Sequence, residues 1–158
     1  MTRQEKIKLK QDIEEINFSI YASLKGITKY KFTGLEDKVD VVFLSGVTVF
    51  LAESKVRKDN VDYFLKYGPY LEYKKVDNMF KEQDRLEKEK SKKYPMLYLC
   101  FCSDGLIIYN IKEPHNYNFT WRNLPKDNIN PEIKIWKLVS ELFNPLEIVY
   151  YEKENKVN

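Results

Sequence analysis

The sequence predicts an α/β (α+β) protein in which a central mixed sheet is flanked by helices. Three observations lead there. Two stretches read as β-hairpins, with Val-, Leu-, Ile- and Phe-rich strands around short turns. Segments of helical periodicity lie on either side of each. The chain of 158 residues is 43% hydrophobic and 32% charged, enough to bury one core without disulfide staples or a structural metal.

The elements follow in order. Ile7, Ile13, Ile16, Ile20 and Leu24 recur at roughly helical spacing, with Glu14 and Glu15 between them, so residues 4–24 form the first helix and Gly26 stops it. Lys38–Ser45 and Val47–Lys55 are apolar on both faces except at their outer ends, and Ser45-Gly46 sits between them. That is a hairpin of interior strands. Residues 59–67 read as a short helix ended by Gly68-Pro69. Residues 70–92 are highly charged, with Leu71, Val76, Met79, Phe80, Gln83 and Leu86 as a thin stripe, the pattern of a helix with one packed face. Pro95–Cys102 and Leu106–Ile111 form a second hairpin around Ser103-Asp104-Gly105. Asn118–Arg122 is an edge strand. Asn130 then caps a helix with Pro131 at its first position, marked by Ile135, Trp136, Val139, Leu142 and Phe143 and closed by Asn144-Pro145. Residues 1–152 make a single domain, and 153–158 a disordered tail.

Several function classes are disfavoured. Cys100 and Cys102 are too few for a disulfide scaffold and too few for a zinc site beside a single histidine, His115; they read as reduced core thiols of a cytoplasmic protein. The charged N-terminus lacks the apolar run of a secretory signal, and Val39–Ala52 is too short and too interrupted to span a bilayer, so no membrane partner is expected. None of the five glycines builds a phosphate loop, so no nucleotide cofactor is expected. A net charge of +3 permits nucleic-acid binding without requiring it.

The informative anomaly is charge within the most apolar segment. If the first turn centres between Gly46 and Val47, residue 44 pairs with 49, 42 with 51 and 40 with 53. Asp40 then faces Glu53 with Cβ atoms roughly 5 Å apart, and Lys55 lies on the same side. Asp40, Val42, Leu44, Val49, Leu51, Glu53 and Lys55 share one face; Val39, Val41, Phe43, Phe50, Ala52 and Ser54 share the other. Opposed carboxylates repel unless a cation lies between them, and Mg²⁺ suits two carboxylates while keeping several waters. The backbone carbonyl of Ser54 could add an oxygen, and Lys55 could orient a metal-bound water, chemistry suited to attack on a phosphodiester. The plainer alternative is a solvated strand end with a salt bridge. Lys29, Lys31 and Lys38 precede the hairpin and Arg57 and Lys58 follow it. If both groups gather at its open end, they could hold a phosphate backbone; otherwise they are an ordinary basic surface.

Asp40 followed thirteen residues later by Glu53-Ser54-Lys55 resembles the core of the PD-(D/E)xK nucleases. The resemblance covers roughly Glu14 to Ile111 and implies a restriction-endonuclease-like core. It implies Asp40 and Glu53 as metal ligands, Lys55 as the catalytic lysine, and an acidic ligand from the first helix, either Glu14 or Glu15. Val39 stands where the family often has proline. Tyr98–Tyr109 is similar to a hairpin of the nuclease domains of type I restriction enzymes, with Ser103-Asp104-Gly105 replacing the Thr-Asn-Gly turn. The Gln-x-x-x-Tyr motif of RecB-type exonucleases is absent, since Gln83 has no tyrosine at that spacing. The expectation is a Mg²⁺-dependent endonuclease acting on DNA, with Mn²⁺ able to substitute, and a homodimer as a family expectation. Two rivals stand beside it: a nuclease-fold protein that binds nucleic acid or a partner protein without cutting, and a structural or inhibitory α/β protein.

Overall fold

The computed structural model describes residues 1–33, 39–112, 120–124, 134–139 and 143–151. Lys38, His115, the proposed Asn130-Pro131 helix start and the 153–158 tail lie outside them.

Helix α1 (Arg3–Lys25) starts at Thr2, whose hydroxyl accepts from the Glu5 amide at 3.1 Å, and stops at Gly26, which adopts φ 69°. Strands β1 (Tyr30–Phe32), β2 (Val41–Ser45) and β3 (Thr48–Val56) follow as an antiparallel meander. Helix α2 (Val61–Tyr67), strand β4 (Leu71–Glu72) and helix α3 (Tyr73–Lys90) lead to β5 (Met96–Phe101) and β6 (Gly105–Ile111). Strands β7 (Thr120–Leu124), β8 (Lys134–Val139) and β9 (Phe143–Tyr150) complete the described elements.

The main sheet has the order β1-β2-β3-β5-β6-β9. It is mixed: β3 and β5 are parallel, and the other pairs are antiparallel. A parallel pair needs a long crossover, and α2 and α3 provide it. A three-stranded sheet, β4-β8-β7, lies beside α3. The expected mixed sheet flanked by helices is therefore present.

Side-chain alternation sorts the core into two layers. From β5, Met96, Tyr98 and Cys100 pack with Leu51, Ile107, Tyr109 and the α2 and α3 residues Val61, Phe64, Val76 and Met79. Leu97, Leu99 and Phe101 face the other way, onto Val41, Phe43, Ala52 and the α1 residues Phe18, Tyr21 and Ala22. Cys100 and Cys102 are free, buried thiols 3.8 Å apart. Among the described residues no helix is long and apolar enough to cross a membrane.

Four expectations need correction. The stripe Ile13, Ile16, Ile20 and Leu24 is the outer face of α1, with Ile20 57% and Leu24 78% exposed, while Phe18, Tyr21 and Ala22 are buried instead. Aromatic bulk decides this: Phe18 packs edge-on against Tyr21, Tyr30 and Phe32 and tilts against Phe43. Residues 70–92 are not one helix, because Leu71 and Glu72 pair with Val139 and Leu138 of β8 and the helix begins only at Tyr73. The expected helix over residues 131–143 contains strand β8 instead, and β9 follows. Ile, Trp and Val at a short period suit either state, and sheet pairing decides. Pro145 falls opposite Tyr109, at a bulge on an edge strand, where the sheet tolerates it. Finally, Val39 joins the α3-side core together with Leu51, whereas Val41 joins the α1-side core. The chain bends at Val39-Asp40, which breaks the alternation just before the strand.

The second hairpin uses Gly105 for close approach. A Cβ there would lie 2.6 Å from the Val149 carbonyl oxygen and 2.9 Å from Cγ2 of Val61. The carbonyl belongs to a paired strand and cannot swing aside. We expect Gly105→Ala to lower unfolding free energy by about 1–3 kcal/mol in urea titrations. An unchanged midpoint would show that β9 does not press on β6 here.

Candidate functional site

The hairpin register is the one expected: Leu44 pairs with Val49, Val42 with Leu51 and Val41 with Ala52. Gly46 carries φ 63° in the two-residue turn. Asp40 sits just before β2, its amide donating to the Ala52 carbonyl at 3.1 Å and its carbonyl accepting from the Thr33 amide at 2.9 Å. The Thr33 hydroxyl also donates to the Val39 carbonyl, fixing the bend. The Asp40 carboxylate therefore arrives at the C-terminal end of β3, where its Oδ2 accepts from the Ser54 amide at 3.0 Å.

Glu53 is fully buried. Its Oε1 lies 3.2 Å from Nζ of Lys55, and its Oε2 lies 3.0 Å from Nζ of Lys75 on α3. The same Lys75 ammonium lies 3.4 Å from Oδ1 of Asp40. One ammonium thus touches both carboxylates. The structure brings together Asp40, Glu53 and Lys55, as expected, and adds Lys75.

Each group's electrostatics follows from burial set against neighbours. Burial pushes the Glu53 carboxyl up to about 7; Lys55 and Lys75 oppose the rise and Asp40 adds to it. Burial works against the charge on Lys55, but Glu53, Glu14 and Asp40 outweigh it and hold the ammonium above its ordinary range. Lys75 is held up likewise by Glu53 and Asp40. Both lysines are cations at neutral pH.

The two first-helix candidates separate. Burial raises the Glu14 carboxyl, and its field partners are Lys55, Asp40, Lys10 and Arg57, so it faces the site. Its Oε1 is buried and, among the described residues, meets no hydrogen-bond donor. Glu15 instead accepts from Gln11 at 3.3 Å and lines an outer groove with Asp12 and Ile16. Ser54 contributes its amide to Asp40, and its hydroxyl is buried. Among the described residues no three His, Cys, Asp or Glu side chains converge as a metal-binding group.

The basic residues scatter more than the sequence suggests. Because β1 runs antiparallel to β2, Lys29 lies beside Leu44, at the turn end of the hairpin and away from the carboxylates. Lys31 pairs with Val42 and is exposed. Lys58 is exposed beyond β3. Arg57 turns inward: its Nε donates to the Tyr98 hydroxyl and its NH2 group to the Tyr70 carbonyl, both at 3.2 Å, with the guanidinium over the Tyr70 ring. These contacts direct two of its five N–H donors into the protein.

Lys75 is the residue that sequence reasoning missed, and a signal for it existed. Lys75, Met79 and Gln83 form one row at spacing four on α3, and the other two are buried. A lysine inside a packed stripe requires an acidic partner across the interface.

No protein-family profile matches the sequence, and no curated protein matches it. Among solved structures, the chain is similar to a Holliday junction resolvase from the archaeal hyperthermophile Archaeoglobus fulgidus. The two share 11% identity and superpose with a TM-score of 0.44 over 79% of this chain and 86% of that one.

The elevated Glu53 value has a consequence for stability. A carboxyl held near 7 in the folded chain, against an ordinary 4.5, binds a proton that the unfolded chain releases. That stabilisation is fully present below about pH 4.5 and is lost as pH rises through about 7. With EDTA present, parent stability relative to Glu53→Gln should fall by on the order of 3 kcal/mol across this window. Urea titrations at several pH values check it, and a difference that does not vary with pH would contradict it.

Proposed function

We propose that this chain is a divalent-metal-dependent nuclease that hydrolyses DNA phosphodiesters at internal positions. One observation carries the reading: Asp40 and Glu53, from adjacent antiparallel segments, share a single cation position, with Lys55 in contact with Glu53. This Asp and Glu-x-Lys pattern resembles the PD-(D/E)xK core, and the meander β1-β2-β3 followed by a helical crossover to a parallel β5 is the restriction-endonuclease-like arrangement which that resemblance implies.

The donor chemistry fits a hard divalent ion, because two carboxylates already converge on one positive charge. Asp40 and Glu53 would hold Mg²⁺ or Mn²⁺, with the Ser54 carbonyl as a further oxygen; Glu14 faces the same end of the sheet without converging on them as a third carboxylate. When bound, the ion neutralises charge on phosphoryl oxygens and lowers the pKa of a bound water. The protein supplies the rest. The Ser54 amide fixes the Asp40 carboxylate. Lys55, in contact with Glu53, would orient the attacking oxygen and the phosphate through Nζ. Lys31 and Lys58 remain exposed and would offer positive charge to the backbone.

A second reading, a nuclease-fold protein that binds nucleic acid without cutting it, is favoured by one observation: the Lys75 ammonium already occupies the position between the two carboxylates. Cleavage separates the two. On supercoiled and linear DNA with Mg²⁺ or Mn²⁺, we expect cutting that EDTA abolishes. Asp40→Asn, Glu53→Gln and Lys55→Met should each lower the rate by at least about 100-fold while remaining folded by circular dichroism. Cutting that survives Glu53→Gln would end the nuclease assignment at this site. No cutting with either metal would leave the binding reading.

A further inference from the structure

Lys75 does more than balance charge. Its ammonium lies 3.0 Å from one Glu53 oxygen and 3.4 Å from one Asp40 oxygen, in contact with the two side chains that would hold a metal ion. Its stem comes from α3 and not from the hairpin, so the contact bridges the crossover helix and the sheet. Val76 and Met79, its neighbours on α3, are fully buried and anchor the helix independently of the ammonium. The helix can therefore stay docked if the ammonium leaves. The Lys75 side chain is 23% exposed, so it has a way out to water.

We propose that Lys75 is a built-in counter-ion that competes with the divalent cation for Asp40 and Glu53, holding the two carboxylates together until a metal displaces it. This rests on the metal-dependent reading above. The physical argument is that the two occupants exclude one another. A single positive charge between two carboxylates satisfies their repulsion, and a second cation at the same oxygens would meet the first head-on. Metal affinity is then the intrinsic affinity of the carboxylates reduced by the fraction of chains in which Lys75 has already left them. Lys55 does not play this part, because among the described residues its ammonium pairs with Glu53 and not with Asp40.

Two experiments test the proposal. Mn²⁺ binding is measured by calorimetry on the parent, Lys75→Met, Lys75→Gln, Asp40→Asn and Glu53→Gln proteins. The methionine keeps the apolar stem and the glutamine keeps a polar end, so one can stand in if the other misfolds. We expect the Lys75 variants to bind Mn²⁺ at least ten-fold more tightly than the parent, and the Asp40 and Glu53 variants to lose binding. In the unmodified protein, added Mg²⁺ should speed reductive methylation of Lys75 several-fold, read by peptide mass spectrometry, because the amine is freed. This second readout does not depend on any variant folding. Binding that needs Asp40 and Glu53 but is equal or weaker in both Lys75 variants, with Lys75 methylation indifferent to Mg²⁺, would overturn the competition and leave the metal site standing. Absence of Mn²⁺ binding in every protein, or binding indifferent to Asp40→Asn and Glu53→Gln, would overturn the metal reading itself and the competition with it.

Discussion

The arrangement depends on how a fully buried glutamate is kept tolerable. A carboxylate removed from water costs several kcal/mol unless charge of the opposite sign is fixed against it. Glu53 receives two ammonium groups, one from its own strand and one from the crossover helix. Asp40 shares the second and adds its own repulsion. Leaving such a buried ion with no partner typically costs about 3–5 kcal/mol, and here two ammonium groups share the task of preventing it. Keeping this cluster in a small domain is therefore a structural burden, and chemistry on a polyanion is a use that would justify it.

The sheet topology and the cluster are two aspects of one constraint. Strands β3 and β5 are parallel, so the chain must cross over between them, and residues 57–95 do so. That crossover covers one face of the sheet with α2 and α3 and carries Lys75 to the end of β3. Arg57 begins it by binding back to Tyr98 and Tyr70, which ties the start of the crossover to β5 and to the segment that enters β4. On the opposite face, α1 supplies the aromatic wedge Phe18 and, one turn earlier, Glu14. The helical layers on both faces thus contribute charge at the same end of the same strand.

How much of this was legible in the sequence depended on whether the signal was local. The first hairpin was, because a Gly-centred two-residue turn fixes register, and register alone brings Asp40 and Glu53 together. The packed stripe of α3 was also legible, apart from the one lysine within it. Strand β1 was missed because three residues carry too little pattern, β8 because its apolar spacing suits a helix equally well until partners exist for it, and β9 because Asn144-Pro145 reads as a stop and not as part of a strand. The burial of α1 was inverted: its isoleucines have the better period, but Phe18 and Tyr21 have the larger apolar area, and the sheet's aromatic face selects them. The inward turn of Arg57 and the remote position of Lys29 are tertiary outcomes that a list of basic residues does not contain.

On the proposed function, Asp40 and Glu53 would form one divalent-cation site, which Lys75 occupies in the metal-free protein. Crystals soaked in Mn²⁺ and measured for anomalous scattering test it most directly. A peak between the two carboxylates is expected, with the Lys75 ammonium moved away from them. Lys75 still bridging Asp40 and Glu53 at saturating Mn²⁺, with no anomalous peak at those oxygens, would contradict it.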